Sequence, residues 1–305
     1  MNTKIIYEKQ DLRNLSWTEL PSTGWIGGSF LKAVDFQEKP FRYYKLSFYD
    51  SIKGIIGHEC VNELIVDRLL NILGISHIHY QLINARVKVE NKEQDTWLCI
   101  SEDFRKKEES KIALDVFYEL EKTKEETPFS FCIRNGWEDQ IYEMLLVDFL
   151  ILNRDRHGAN LEVMKNNRIR ELYLAPLFDH GLSLLFSCHD ESEIRNYNVL
   201  EDKPVQCFLG SCSAAGNLEL IPSGKLPKVN PLQKKHKAEL LMGLEQIMPS
   251  CFLEKIWEML WKRWEAYEGF LQSKKKVVTI RSRLCMAGLL ILKRKKSFRL
   301  DFVKK

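Results

Sequence analysis

Asp155, Asn160 and Asp179 are the residues of this chain whose types and spacing point most directly to chemistry. The first two stand in ILNRDRHGAN (151–160), an apolar run that breaks into polar residues. The third stands in APLFDHGLSLL (175–185), where a second apolar run ends in Asp179-His180-Gly181. A carboxylate at the end of a buried segment can orient a hydroxyl and take its proton. An Asn five residues later offers an oxygen to a hard cation, and a second carboxylate 24 residues after the first can hold Mg2+ and leave room for phosphate oxygens. A base, an Asn and an Asp for metal in one cleft are the parts that phosphoryl transfer from ATP requires.

That chemistry also needs a phosphate cover and a cation. STGWIGGSFLKA (22–33) brings Gly24, Gly27, Gly28 and Ser29 together, so the backbone there can approach phosphates closely. Such glycines more often only make turns. Lys45 lies in FRYYKLSFY (41–49), 17 residues after Gly28, and can point into a cleft while Tyr44 and Leu46 pack. Glu63, in HECVNELIVDRLLNILG (58–74), can pair with it. Each alone reads as an ordinary surface charge. In this order they make a kinase-like layout.

The elements that must position these groups are readable in outline. Residues 17–50 have the alternation of strands and turns, most clearly in 41–49. The spacing of apolar residues over 58–74 predicts an amphipathic helix that stops at Gly74. Residues 75–90 and 96–104 alternate as strands. Helices are expected over 111–122 and over 137–153, the latter apolar on most faces and so buried. Residues 171–181 read as a short buried hairpin element, and 186–230 as irregular, with prolines at 204, 222 and 227. Helical patterns then run to about 272. Strands first and helices after predict two lobes of one α+β domain.

With these residues in place, NRDRHGAN…APLFDHG resembles the catalytic and metal-binding segments of HipA-like protein kinases. STGWIGGSFLKA…YYKLS…GHECVNELIVDRLLNILGI resembles the compact, single-domain members of that family, and the resemblance covers roughly residues 20–270. It implies a bilobal kinase-like fold: an N-lobe over 1–104, a helical C-lobe over 105–272 and a basic tail over 273–305. It also implies ATP and Mg2+ as cofactors. Asp155 then matches the catalytic base, Asn160 the metal-binding Asn, and Asp179 the metal-binding Asp of a DFG-like turn, here Asp-His-Gly. Lys45 matches the lysine that contacts ATP phosphates, and Glu63, rather than Glu59, its ion-pair partner. Residues 100–104 fall at the interlobe hinge, with the backbone of Cys99 or Ser101 facing adenine. His157 either meets the developing phosphoryl charge or ties down its loop, and the second role is preferred. His180 packs and bonds locally.

The activity this implies is Ser/Thr protein kinase, with an unidentified protein acceptor and autophosphorylation expected within the Gly-rich segment, at Ser22, Thr23 or Ser29. The competing readings are a phosphoinositide-type lipid kinase, which carries a similar Asp-Arg-His-x-x-Asn loop, and a non-catalytic nucleotide-binding or DNA-associated regulatory module. The chain is shorter than full-length HipA, and no antitoxin partner is implied.

Composition bounds the rest. With 305 residues, 45% of them hydrophobic and 11% aromatic, the chain can bury a core and is not a disordered one. Its eight cysteines include no C-x-x-C pair, which argues against a cysteine zinc site or a disulfide framework and for reduced, buried thiols in the cytoplasm. No secretory signal or membrane-spanning run is read. Residues 274–305 carry twelve Lys/Arg and one Asp against a net charge of +4, so the body is acidic and the tail basic. The tail offers a contact to nucleic acid or anionic membrane, but a solvated terminus is the preferred reading.

Overall fold

The structure is a computed structural model and describes residues 4–19, 30–37 and 39–301, with side chains described as far as Lys275. Ser22, Thr23, Gly24, Gly27, Gly28 and Ser29 lie outside the described residues.

The first part of the chain is built on strands β1 (Ile5–Leu12), β2 (Thr18–Glu19), β3 (Leu31–Asp35) and β4 (Arg42–Lys45). A small hairpin of β5 (Tyr49–Asp50) and β6 (Gly54–Ile55) precedes helix α1 (Glu59–Leu73), which is followed by β7 (Tyr80–Val89) and β8 (Lys92–Glu102). The main sheet has the order β1-β7-β8-β4-β3-β2. Its alternation buries Tyr44, Leu31 and Leu98 in a small core of the sheet, while Lys45, one residue after Tyr44, projects from the other face.

Helix α1 forms where the apolar spacing predicts it, and Gly74 closes it in the left-handed conformation at φ 75°. It is not amphipathic, however. Glu59, Asn62, Glu63, Asp67 and Arg68 are buried along with its apolar residues, because the sheet and the helical part enclose it from both sides. Buried polar groups must find partners, and those of α1 find them in the segments that carry the site.

The second part contains β9 (Glu109–Ala113), α2 (Leu114–Glu121), α3 (Pro128–Arg134) and α4 (Glu138–Ile151). It continues with β10 (Asp155–Arg156), β11 (Glu162–Asn166), β12 (Glu171–Leu174), α5 (Glu191–Asn196) and β13 (Gln206–Cys207). Helices α6 (Ala214–Leu218), α7 (His236–Leu241) and α8 (Ser250–Asp301) complete it. The helix expected from residue 111 starts at Leu114, since Lys111–Ala113 pair with β11 as a strand. The helix expected to end near 272 continues to Asp301 in α8. Helix α4 is buried along most of its length, as its sequence requires. The fold is therefore α+β, sheet-rich first and helical after, as expected.

Among the described residues the cysteines are free thiols. Cys60, Cys99, Cys132 and Cys188 are buried, whereas Cys212 is exposed. No helix of the described residues is long and apolar enough to cross a membrane.

Arg263 of α8 fastens the helical part internally. It is buried and donates to the carbonyls of Val199 (2.8 Å), Phe149 (3.0 Å) and Glu201 (2.7 Å). Arg263→Leu removes three charge-assisted donors at once, so urea unfolding is expected to show a loss of about 3 kcal/mol or more.

Candidate active site

A cleft of about 1020 Å³ is lined by Lys45 and Ser101 from the sheet and by Asp155, Asn160 and Asp179 from the second part. His157 also lines it. The structure thus brings together every predicted site residue that it describes, with Glu63 buried just behind Lys45.

The Lys45 ammonium lies 2.8 Å from Glu63 Oε1 and also donates to Asp179 Oδ1. Burial disfavours its charge, but Asp179 and then Glu63 outweigh this and raise its pKa well above the usual lysine value. Burial likewise disfavours the Asp179 carboxylate, and Lys45 and Lys32 overcome it, holding that carboxyl far below the usual range. Glu63 Oε2 accepts from the backbone N–H of His180 at 2.9 Å, so one glutamate aligns both the lysine and the Asp-His-Gly turn. Glu59, the competing partner, is turned to the N–H of Phe48 at 3.0 Å.

The turn itself is tightly determined. Asp179 adopts φ 58°, a left-handed conformation that Asp tolerates better than most residues. A Cβ on Gly181 would stand 3.1 Å from the Glu59 side chain, 3.3 Å from Lys45 Nζ and 3.4 Å from Glu63 Oε1, so glycine lets the turn lie against the ion pair. Asn62 of α1 donates to the carbonyls of Gly181 and Ser183, both at 3.0 Å. His180 is buried, and its ring is kept neutral by desolvation, helped by the nearby Arg156 charge.

The loop carrying Asp155 and Asn160 is held from three directions. Arg156 is buried, 2.9 Å from Asp148 of α4, and donates to the carbonyls of Asn160 (3.2 Å) and Phe178 (2.9 Å). The backbone of Asp155 and Arg156 pairs in parallel with Gln206 and Cys207, as β10 with β13. Asn153 accepts from the Asp155 N–H at 3.2 Å and donates to Asp148 at 2.9 Å. The Asn160 amide N–H2 donates to the Asp155 carbonyl at 2.8 Å, which turns its side-chain oxygen to the other side. His157 Nδ1 accepts from the Ala159 N–H at 3.2 Å, and its Nε2 is 3.7 Å from the Asp155 carboxylate. Both contacts stay within its own loop.

Ser101 and Cys99 lie inside the sheet, between β4 and β7. Their backbone groups belong to ladders on either side, and Asp103 and Phe104 line the cleft wall farther along.

Lys32, Tyr80, Asp148 and Asn62 were not expected from the sequence. Lys32 is 3.5 Å from Asp179 and pairs in register with Lys45 across β3 and β4, a neighbourhood visible only once the hairpin register is known. The Tyr80 hydroxyl accepts from the Asp179 N–H at 3.3 Å. Asp148 had a signal: a carboxylate within MLLVDFLIL demands a buried cation, and Arg156 is one short loop away.

No protein-family model and no curated protein sequence matches the chain. Among solved structures, the crystal structure of the Helicobacter pylori proinflammatory kinase CtkA matches with a TM-score of 0.52, over 84% of this chain and 93% of its own, at 16% identity. HipA of Shewanella oneidensis MR-1, from its complex with HipB and operator DNA, matches with a TM-score of 0.49 over 85% of this chain and 70% of its own, at 14% identity. At these identities the likeness to CtkA establishes the fold.

Lys45→Met strips the wholly buried Glu63 of its cation. Chemical denaturation is expected to show a loss of about 3–5 kcal/mol, part of it recovered when Glu63→Gln is added. Asp179 titrates in the folded chain below its unfolded value, so its contribution to stability is present above about pH 4 and is lost as pH falls further. Asp179→Asn should therefore flatten the stability profile of the chain below about pH 4.

Proposed function

We propose that this protein is an ATP- and Mg2+-dependent kinase of the HipA-like kind that transfers the γ-phosphate to a Ser or Thr hydroxyl of a protein. The observation that carries this reading is the Lys45 ammonium, held between Glu63 and Asp179 in one cleft with Asp155 and Asn160. The fold shared with CtkA, itself a kinase, supports it.

In this reading Asp155 orients the acceptor hydroxyl and receives its proton. The buried Arg156 and the β10–β13 pairing keep its backbone from moving as it does so. Asp179 and the side-chain oxygen of Asn160 form the donor set expected for a hard divalent cation. Mg2+, when bound, neutralises charge on the phosphates. Lys45 shares itself between Asp179 and the phosphate oxygens while Glu63 keeps it aligned. Lys32 adds a second cation from the roof of the cleft. Adenine sits against the sheet near Ser101 and the hinge that follows it. Catalysis then comes mainly from positioning and fixed charge. The free thiols fit a reducing compartment, and we take the cytoplasm as its location on that ground.

The test is transfer of labelled γ-phosphate from Mg-ATP by wild type and Asp155→Asn, offered a general protein acceptor in one arm and phosphoinositide vesicles in another. Label on protein is expected with wild type, with a rate about 10²–10⁴-fold lower in the variant. Label confined to lipid would overturn the protein acceptor. ATP binding without transfer in either arm would overturn the kinase.

A further inference from the structure

One turn beyond Glu63 on α1, the Asp67 side chain is wholly buried and faces two histidines from the segment that enters β7. None of the three lines the cleft. We propose that Asp67, His77 and His79 form a binding site for a divalent transition-metal ion of the zinc class, a site independent of the kinase reading.

The three ligand atoms lie within 4.8 Å of one another. Asp67 Oδ1 is 3.3 Å from His77 Nε2 and 3.0 Å from His79 Nδ1. Ligands about 2.0–2.1 Å from a tetrahedral zinc ion stand about 3.3 Å apart, so these separations already have the scale of such a site. The tautomer of His77 supplies a second argument. Its Nδ1 is 2.7 Å from the carbonyl of Ile75, which accepts only, so the proton sits on Nδ1. Nε2 is then the ring nitrogen turned to the carboxylate and the one able to coordinate an ion between them, and the Nδ1–H···O=C bond is the support that metal-binding histidines ordinarily have.

Crowding at Asp67 points the same way. Oδ1 is approached by both imidazoles, by the Tyr80 N–H at 3.2 Å and by Lys4 Nζ at 3.1 Å, while Oδ2 meets Lys4 at 2.7 Å and Asn71 at 3.4 Å. Four nitrogens thus converge on this one oxygen, and a single ion bridging it to both rings would satisfy the two imidazoles together. Lys4 is the competing cation in the metal-free chain, and the exposed ring of His79 gives the ion its way in. His77 also bridges to Leu177, two residues before Asp179, so an ion here fastens α1 to the segment that carries the Asp-His-Gly turn.

Titration of the full chain with Co2+ tests this, read by visible absorption and by displacement with Zn2+. One saturable equivalent is expected for wild type. His79→Ala, whose exposed ring can be removed without disturbing the fold as checked by circular dichroism, should weaken binding about tenfold or more. Lys4→Met should tighten it. No saturable equivalent in wild type, or binding that His79→Ala leaves unchanged, would overturn the site.

Discussion

A lysine charge placed where water scarcely reaches cannot stand alone, and much of this structure follows from meeting that condition at Lys45. Its side chain is 12% exposed, and the Glu63 carboxylate that faces it is not exposed at all. Glu63 must therefore be delivered by a helix packed tightly on the sheet, which is why α1 is enclosed on both sides. Asp179 must reach the same ammonium from the other part of the chain, which demands a left-handed residue and then a glycine thin enough to lie on the pair. Sheet, helix and turn are thus positioned by one ammonium group. Removing either partner from such a cluster is costlier than replacing the whole with apolar residues.

A second buried charge does for the loop what Lys45 does for the turn. Asp148 is planted in α4, a helix buried along most of its length, and Arg156 answers it. Because the same guanidinium also binds the carbonyls of Asn160 and Phe178, it joins the loop of Asp155 to the residue that precedes Asp179. The two carboxylate-bearing segments are in this way tied to each other through main-chain carbonyls as well as through the cleft they share.

How much of this was legible in the sequence depended on how local each signal is. Asp155, Asn160 and Asp179 announce themselves because apolar runs end at them, and Lys45 because it interrupts an aromatic strand. The choice of Glu63 over Glu59 followed from resemblance, and its physical reason, the Phe48 N–H that claims Glu59, lies in a segment folded back from eleven residues away. Lys32 and Tyr80 act through strand register and tertiary packing, which short-range periodicity does not encode. The strand at Lys111–Ala113 was read as helix because its pairing partner, β11, comes 50 residues later. Helix α1 was read as one-sided because its buried Glu, Asn and Asp residues mimic a solvent face.

The parallel pairing of Asp155 and Arg156 with Gln206 and Cys207 has a bearing on the order in which the molecule is completed. The irregular segment after the Asp-His-Gly turn acts as a splint, with Gln206 donating to the Arg154 carbonyl at 3.0 Å and Phe208 to that of Arg156 at 2.8 Å. Closing that span costs loop entropy before any contact rewards it. During synthesis the aspartate would thus emerge well before the strand that steadies it, and the loop would acquire its final geometry only after some fifty further residues had followed. The late arrival of the splint separates having the reactive residue from having a working loop.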